Sequence, residues 1–172
     1  MNGGVAGIVL AGGQSRRMGR DKVLMPYKGR PLIDHMIALL QQVPTDDVII
    51  SGDVPGYDAV PDAHPDGGPA RALADIVNAD KTHAGFLIVP VDMPALSPEP
   101  LRLLMDVAEG AYFTTRPMPA YTPNVAVKGN IDSMRDLLDH AGARAIDLPD
   151  SMADEMINVN TPEEWQSFTE ES

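Results

Sequence analysis

The 172-residue sequence contains no cysteine, which excludes disulfide bonds and thiolate metal ligands. It also lacks an apolar run of membrane-spanning length, and its N-terminus has no basic segment followed by an apolar one. We therefore expect no membrane partner and no secretory signal, and the composition suits a cytoplasmic protein. Since 44% of the residues are hydrophobic, the chain can bury a core, and we predict one domain over residues 1–172.

Cations are scarce as well. There are 13 lysines and arginines against 25 acidic residues, and the formal net charge is −12. This balance argues against non-specific binding to nucleic acid. The cations are unevenly placed, however, because six of them lie between residues 16 and 30. Such a local cluster fits a small polyanionic ligand.

The most informative stretch of the chain is residues 8–22, where an apolar run, Val5–Leu10, enters a small-residue loop. Adjacent glycines at 12 and 13 allow positive φ and a close approach of a ligand, and successive loop amides can form an anion site. Ser15 adds a hydroxyl donor, and the cations of residues 16–22 suit phosphate. The spacing matches neither the Walker loop nor the dinucleotide motif G-x-G-x-x-G. We interpret the stretch as a phosphate-binding loop for a nucleoside triphosphate.

Strand and helix patterns alternate along the chain. This predicts an α/β fold with βαβ units, right-handed crossovers and a mainly parallel sheet. Three prolines within residues 116–123 predict a stiff loop there. The predicted strands are 5–10, 48–50, 58–60, 86–91, 111–115, 124–127 and 145–148, and the predicted helices are 31–42, 69–79, 98–108, 130–141 and a short one from 162.

Asp92 follows the most apolar predicted strand, in the string Val89-Pro90-Val91-Asp92-Met93-Pro94. Ligands of open parallel sheets bind beyond the carboxyl ends of the strands. A carboxylate there can hold Mg²⁺ while the ion keeps waters and takes substrate phosphates. An ordinary strand-end acid, hydrogen-bonded to its own turn, is the alternative interpretation.

Residues 10–22 follow the pattern L-A-G-G-x-S-x-R-M-G-x-D-K. This resembles the signature of the molybdenum cofactor guanylyltransferases, the family of molybdopterin-guanine dinucleotide biosynthesis protein A. It is also close to the A-A-G-x-G-x-R-M string of related cytidylyltransferases and sugar-phosphate nucleotidyltransferases. The resemblance implies a three-layer Rossmann-like fold of the nucleotide-diphospho-sugar transferase type, with helices on both faces of the sheet.

The resemblance also assigns candidate site residues. It implies catalytic roles for Arg17, Lys22 and Asp92, and a Mg²⁺ site at Asp92, because Pro90–Pro94 is similar to the family's metal motif. Residues 158–162 match the family's terminal N-V-N-T-P string, which lies by the active site. The implied substrate-binding residues are Leu10, Ala11, Gly12, Gly13, Ser15, Asp62, Gly68, Asn158 and Asn160.

Asp62 precedes a Gly-Gly-Pro segment at residues 67–69, in the region that the family uses for the guanine base. One carboxylate can accept hydrogen bonds from guanine N1–H and N2–H₂ together, and cytosine offers no such pair of donors. A solvated turn aspartate is the alternative.

Two segments depart from the family pattern. Residues 112–125 are compact, and Tyr121-Thr122-Pro123 stands near the place of the family's His-Pro pair at the acceptor site. Ser51-Gly52 follows the second strand, where some members have an asparagine that helps to bind nucleotide. The sequence therefore determines the acceptor less well than it determines the nucleotide.

These features predict transfer of GMP from Mg-GTP to molybdopterin cofactor, with cofactor-delivery proteins or molybdoenzymes as further partners. Two alternatives stay open at this point. One is a cytidylyltransferase or sugar-phosphate nucleotidyltransferase of the same fold. The other is a non-catalytic nucleotide-binding partner that acts through protein contacts.

Overall fold

The computed structural model describes residues 3–12 and 22–171. No helix within these ranges is long and apolar enough to cross a membrane. The strands are β1 Val5–Leu10, β2 Pro26–Tyr27, β3 Arg30–Pro31, β4 Asp47–Ser51, β5 Gly85–Pro90, β6 Ala111–Phe113, β7 Arg116–Pro123 and β8 Arg144–Ile146. The helices are α1 Leu32–Leu40, α2 Gly68–Ala79, α3 Pro98–Met105, α4 Met134–Ala141 and α5 Pro162–Glu171, with a 3₁₀ helix at Asp150–Met156.

Six strands form one sheet in the order β4-β1-β5-β7-β6-β8, and β2 and β3 form a separate hairpin. Strands β4, β1 and β5 pair in parallel, as do β6 and β8, whereas β7 is antiparallel to both of its neighbours. Leu10 aligns with Ser51 of β4 and with Pro90 of β5, so these three strands end level at one edge. The predicted mainly parallel sheet is confirmed.

Helices cover both faces of the sheet because successive strand side chains point to opposite sides. In β1, Val9 packs in the core formed with α1, α3 and α5, while Ile8 packs in the core formed with α2 and α4. In β5, Val89 packs in the first of these cores and Ile88 in the second. The three-layer arrangement that the resemblance implied is therefore present.

The main correction to the predicted elements concerns residues 116–127. The proline-containing segment predicted as a loop is strand β7, and residues 124–127 form no strand. The pairing of β6 with β7 shifts register between Tyr112↔Ala120 and Phe113↔Arg116, so Pro117 and Pro119 lie in the irregular part of the ladder. Prolines are tolerated at such irregularities and at strand ends, where no ladder donor is lost.

Smaller corrections concern the ends of elements. Helix α4 begins at Met134 rather than at 130, because the Ser133 hydroxyl accepts the Asp136 N–H at 3.1 Å and caps the helix. The predicted strand at 58–60 is reduced to an isolated bridge between Ser51 and Val60. The β2–β3 hairpin was not predicted, and it turns through Lys28 and Gly29, both at positive φ.

At the opposite edge of the sheet, His83 links two acidic residues. Its Nδ1 lies 2.8 Å from an Asp80 carboxylate oxygen, and its Nε2 lies 3.0 Å from one of Asp47. The hydrogen bond to Asp80 raises the pKa of His83. Burial acts to raise the pKa of Asp80. Hydrogen bonds from the backbone and ring of His83 and from the Thr82 backbone act in the opposite direction and outweigh burial, so the pKa of Asp80 is lowered to about 2.

We expect Asp80→Asn to lower the free energy of unfolding by about 2 kcal/mol between pH 4 and pH 6. The loss should shrink as pH falls from about 4 towards 2, because the wild-type Asp80 carboxylate is then protonated. It should also shrink in part as pH rises through the raised pKa of His83, because the imidazolium charge is lost. Urea unfolding across this pH range measures both effects.

Asp132→Asn, at an exposed position before α4, is the control and should show no such profile. A pH-independent deficit in Asp80→Asn would contradict the linkage.

Candidate active site

The candidate site begins at the edge of the sheet where the carboxyl ends of β4, β1 and β5 lie side by side. The backbone N–H groups of Ala11 and Gly12 both donate to the carbonyl oxygen of Ser51, at 2.9 and 2.8 Å. The N–H of Val91 donates to the carbonyl of Leu10 at 3.1 Å. The segments that leave the three strands are therefore tied together, and the amides of Ala11 and Gly12 are engaged within the protein.

Gly12 and Gly52 form the closest backbone approach at this edge. Gly52 has a φ of +124°, and a Cβ added to it would lie 2.4 Å from the nitrogen of Gly12. A Cβ on Gly12 would lie 3.0 Å from the Gly52 Cα. The Ser51-Gly52 pair, which departs from the family asparagine, thus has a packing reason: it lets the backbone of Ala11 and Gly12 lie directly against β4.

Beyond this contact, the buried Lys22 forms an ion pair with the partly exposed Asp92. The Lys22 Nζ lies 3.7 Å from Asp92 Oδ2 and donates to Asn160 Oδ1 at 3.3 Å. Lys22 is only 4% exposed. Burial lowers the pKa of its ammonium group, and the nearby Asp92 carboxylate offsets part of that effect. The pair places a desolvated cation beside the carboxylate.

The 158–160 segment closes the other side of Asp92. Asn158 Nδ2 donates to Asp92 Oδ2 at 3.1 Å, and the Val159 N–H donates to the Asp92 carbonyl at 2.8 Å. Because alternate residues of extended chain share a face, Asn158 and Asn160 both face the ion pair while Val159 is buried in the core. The structure therefore brings together four predicted site residues: Lys22, Asp92, Asn158 and Asn160.

A capping box holds this segment against the start of α5. The Glu164 carboxylate accepts the N–H groups of Asn160 and Thr161, at 2.6 and 3.2 Å, and the Thr161 hydroxyl accepts the Glu164 N–H at 3.1 Å. The predicted helix from 162 is confirmed. The cap fixes the backbone that carries Asn160.

The predicted residues elsewhere are separate from this cluster. Asp62 is partly exposed, and its Oδ1 accepts the N–H of His64 at 2.8 Å. Gly68 opens α2 with a φ of +73°. Within residues 3–12 and 22–171, neither belongs to the hydrogen-bonded network around Asp92. The predicted site residues Gly13, Ser15 and Arg17 lie outside the described residues.

Arg116 is a site residue that the sequence analysis did not select. Its Nη1 donates to Asn158 Oδ1 and to the carbonyl oxygen of Met156. The residue opens β7, within the compact 112–125 segment. Its partners lie 40 and 42 residues away along the chain, so no local pattern marks it.

The donor set around Asp92 fits a divalent metal ion. Asp92 Oδ1 is buried and has no hydrogen-bond partner among residues 3–12 and 22–171, although Oδ2 has two polar neighbours. No group of three or more histidines and carboxylates surrounds it in the part of the chain that the structure describes. A single carboxylate suits Mg²⁺, which keeps waters and takes ligands from substrate phosphates.

His35 has a structural role, in a groove of about 500 Å³ between the β2–β3 hairpin and the 94–98 loop. Its Nε2 lies 3.2 Å from the Pro94 carbonyl oxygen, and its ring meets the Tyr27 ring edge-on. Burial lowers the pKa of its imidazole. The residues that line the groove do not include Lys22, Asp92 or Asn158.

Comparison with known proteins identifies the family. The sequence profile of the MobA-like NTP transferase domain matches residues 7–152. The molybdenum cofactor guanylyltransferase of Xanthomonas euvesicatoria pv. vesicatoria is 35% identical over 96% of this chain and 95% of its own length. The chain belongs to the MobA-like NTP transferase family. It is accordingly a nucleotidyltransferase of the guanylyltransferase branch.

Solved structures agree with this family on the fold. A nucleotidyl transferase from Methanothermobacter thermautotrophicus has a TM-score of 0.72 at 19% identity, covering 98% of this chain and 97% of its own. A Mycobacterium tuberculosis protein in complex with manganese has a TM-score of 0.62 at 19% identity, covering 99% and 100%. For this member of the MobA-like family, these likenesses establish the α/β architecture.

We expect Gly52→Ala to destabilise the protein more than Gly56→Ala. Gly56 also has positive φ, +85°, but a Cβ there would meet no atom of the described residues within 4 Å. Gly56→Ala should therefore lose only the free energy of backbone strain, about 1–2 kcal/mol. At Gly52 the clash with Gly12 should add about 1–3 kcal/mol. Urea unfolding of the two variants compares them directly, and equal losses would contradict the close backbone contact.

Proposed function

We propose that this chain transfers GMP from Mg-GTP to the terminal phosphate of molybdopterin cofactor and releases pyrophosphate. The observation that carries the proposal is the cluster of Lys22, Asp92, Asn158 and Asn160 beyond the carboxyl ends of β1 and β5. Such an edge is where α/β sheets bind ligands. The guanylyltransferase relative supports the choice of nucleotide and acceptor.

The reaction requires positioning and charge neutralisation rather than a general base. An oxygen of the acceptor phosphate is already anionic, and it forms the new bond to the α-phosphorus of GTP. The bond from the α-phosphorus to the bridging oxygen breaks, and pyrophosphate leaves with that electron pair. Preorganised charges aimed at such developing charge are usually the largest catalytic contribution.

Asp92 Oδ1 is the group that would hold Mg²⁺, since it is buried and none of the described residues donates a hydrogen bond to it. The ion, when bound, neutralises charge on the triphosphate. Asp92 Oδ2 stays oriented by Asn158 and Lys22. Of the proposed catalytic cations, Lys22 lies against this carboxylate, and Arg17 is proposed from the sequence pattern only.

Lys22 is suited to stabilise phosphate charge because it is almost completely buried. A largely buried ammonium group gives up less hydration than an exposed one when a phosphate approaches. Its contacts to Asp92 and Asn160 hold the side chain in place. The proposed role is electrostatic stabilisation as pyrophosphate leaves.

Asp62 is the proposed guanine contact. The segment that carries it continues from the Ser51–Val60 bridge, at the end of β4. One carboxylate oxygen accepts the His64 N–H, which fixes the turn. Gly68, at the start of α2, is proposed to bind nucleotide with it.

Replacing Asp92 by Asn or Lys22 by Met should reduce guanylyl transfer by about 100–1000-fold. Asp92→Asn removes the anionic oxygen proposed for the metal, and Lys22→Met removes the buried cation while keeping much of its volume. Pyrophosphate release from GTP and the cofactor measures the rate, and thermal unfolding checks the fold.

The matched controls are the exposed residues Asp106→Asn and Lys128→Met, which should keep the wild-type rate. Wild-type turnover in either site variant would overturn the assignment. No pyrophosphate release by the wild-type protein would favour a nucleotide-binding partner over an enzyme.

Mg-GTP should raise the melting temperature of the wild-type protein more than Mg-CTP does. Asp62→Asn should remove most of this difference, because an amide cannot accept both guanine donors. The matched control Asp58→Asn, exposed on the same segment, should keep it. Stronger stabilisation of the wild-type protein by CTP would indicate a cytidylyltransferase.

A further inference from the structure

Arg116 reaches the candidate site because β7 runs antiparallel to β5. The amino end of β7 therefore lies at the edge where the parallel strands have their carboxyl ends. From there the Arg116 Nη1 donates to Asn158 Oδ1 and to the Met156 carbonyl oxygen. The guanidinium group thus contacts a residue that itself contacts Asp92.

This contact fixes which way the Asn158 amide faces. Its oxygen accepts from Arg116, and its nitrogen donates to Asp92 Oδ2 at 3.1 Å. The reversed amide would place its NH₂ against a guanidinium donor and its oxygen against a carboxylate oxygen. Both of those contacts are repulsive. Asn158 is therefore held in one orientation from both ends.

The consequence for Asp92 is an asymmetric carboxylate. Asn158 Nδ2 and Lys22 Nζ both approach Oδ2, while Oδ1 is buried and finds no partner in the described part of the chain. A carboxylate held at one oxygen cannot rotate freely, so its other oxygen keeps a constant direction. A bare buried carboxylate oxygen is also costly unless a ligand completes it.

We propose that Arg116 is a positioning residue for the divalent metal, acting through Asn158 to present Asp92 Oδ1. The inference rests on the proposed function, in which the metal accompanies the nucleotide. It goes beyond that function by assigning a role to a residue that is neither a metal ligand nor a predicted substrate contact. It also gives the compact 112–125 segment a part in the site.

A merely structural role would involve the Met156 carbonyl, which Arg116 also contacts. Loss of that contact would loosen the end of the 3₁₀ helix and lower the melting temperature. A purely structural role would not make the effects of Arg116 and Asn158 on metal affinity depend on each other. Metal affinity, measured separately from stability, therefore distinguishes the two roles.

The probe is Mn²⁺ bound in the presence of GTP, with free Mn²⁺ measured by electron paramagnetic resonance. Arg116→Met should raise the Kd for Mn²⁺ by about 10–100-fold, the usual effect of losing a partner that orients a metal ligand. Metal-free binding of GTP should change little. Arg144→Met, the same substitution at an exposed position of β8, is the control and should leave the Kd unchanged.

A double-mutant cycle with Asn158→Ala tests the route of the effect. If Arg116 acts through Asn158, the double variant should bind Mn²⁺ about as weakly as Asn158→Ala alone, because the two changes remove one chain of contacts. If Arg116→Met does not fold, Arg116→Lys decides instead. Lysine keeps a donor but loses the planar guanidinium, so a Kd for Mn²⁺ between the wild-type value and that of Asn158→Ala is expected.

A wild-type Kd for Mn²⁺ in Arg116→Met would overturn the inference. If Arg116→Met does not fold, wild-type Kd values in both single variants Arg116→Lys and Asn158→Ala would do so. Additive losses of Mn²⁺ affinity in the cycle would also overturn it. Absence of Mn²⁺ binding by the wild-type protein would also overturn it. Failure of GMP transfer to the cofactor, with the Arg116 effect on Mn²⁺ intact, would reject the proposed function alone. The two proposals therefore fail separately.

Discussion

The candidate site depends on how Asp92 is held at one of its two carboxylate oxygens. Lys22 and Asn158 both approach Oδ2, and the Asp92 backbone carbonyl accepts the N–H of Val159. Asp92 is therefore held through both its backbone and its side chain. Three distant parts of the sequence meet at this one residue: the end of the 10–22 loop, the end of β5 and the 158–160 segment.

The burial of Lys22 beside the partly exposed Asp92 is better explained by a role in the site's chemistry than by a gain in stability. Desolvation of two charges offsets much of their mutual attraction, so a buried ion pair is weak evidence of stabilisation. Its value lies in placing a positive charge at the edge of a protein whose formal net charge is −12. Without local cations, the field of the acidic chain would oppose a polyanionic substrate.

The sequence predicted the parts of the site that short motifs encode and missed those that tertiary pairing creates. Asp92 follows an apolar strand, and Asn158 and Asn160 occupy an N-V-N string, so each has a local signal. Arg116 has none, because its partners are remote in sequence. Strand β7 was missed for the same reason, since its prolines contradict strand propensity and only its two flanking strands determine its conformation.

The antiparallel direction of β7, a strand that the sequence did not predict, also brings Arg116 to the candidate site. A parallel strand in that position would deliver its carboxyl end to the edge beside Asp92, whereas β7 delivers its first residue, Arg116. The side chains of Met118, Ala120 and Thr122 are buried along the same strand. Most of the compact segment thus belongs to the sheet, and its contribution to the site comes from Arg116, the first residue of β7. The departure from the family in this segment therefore bears, through Arg116 and Asn158, on the Asp92 carboxylate.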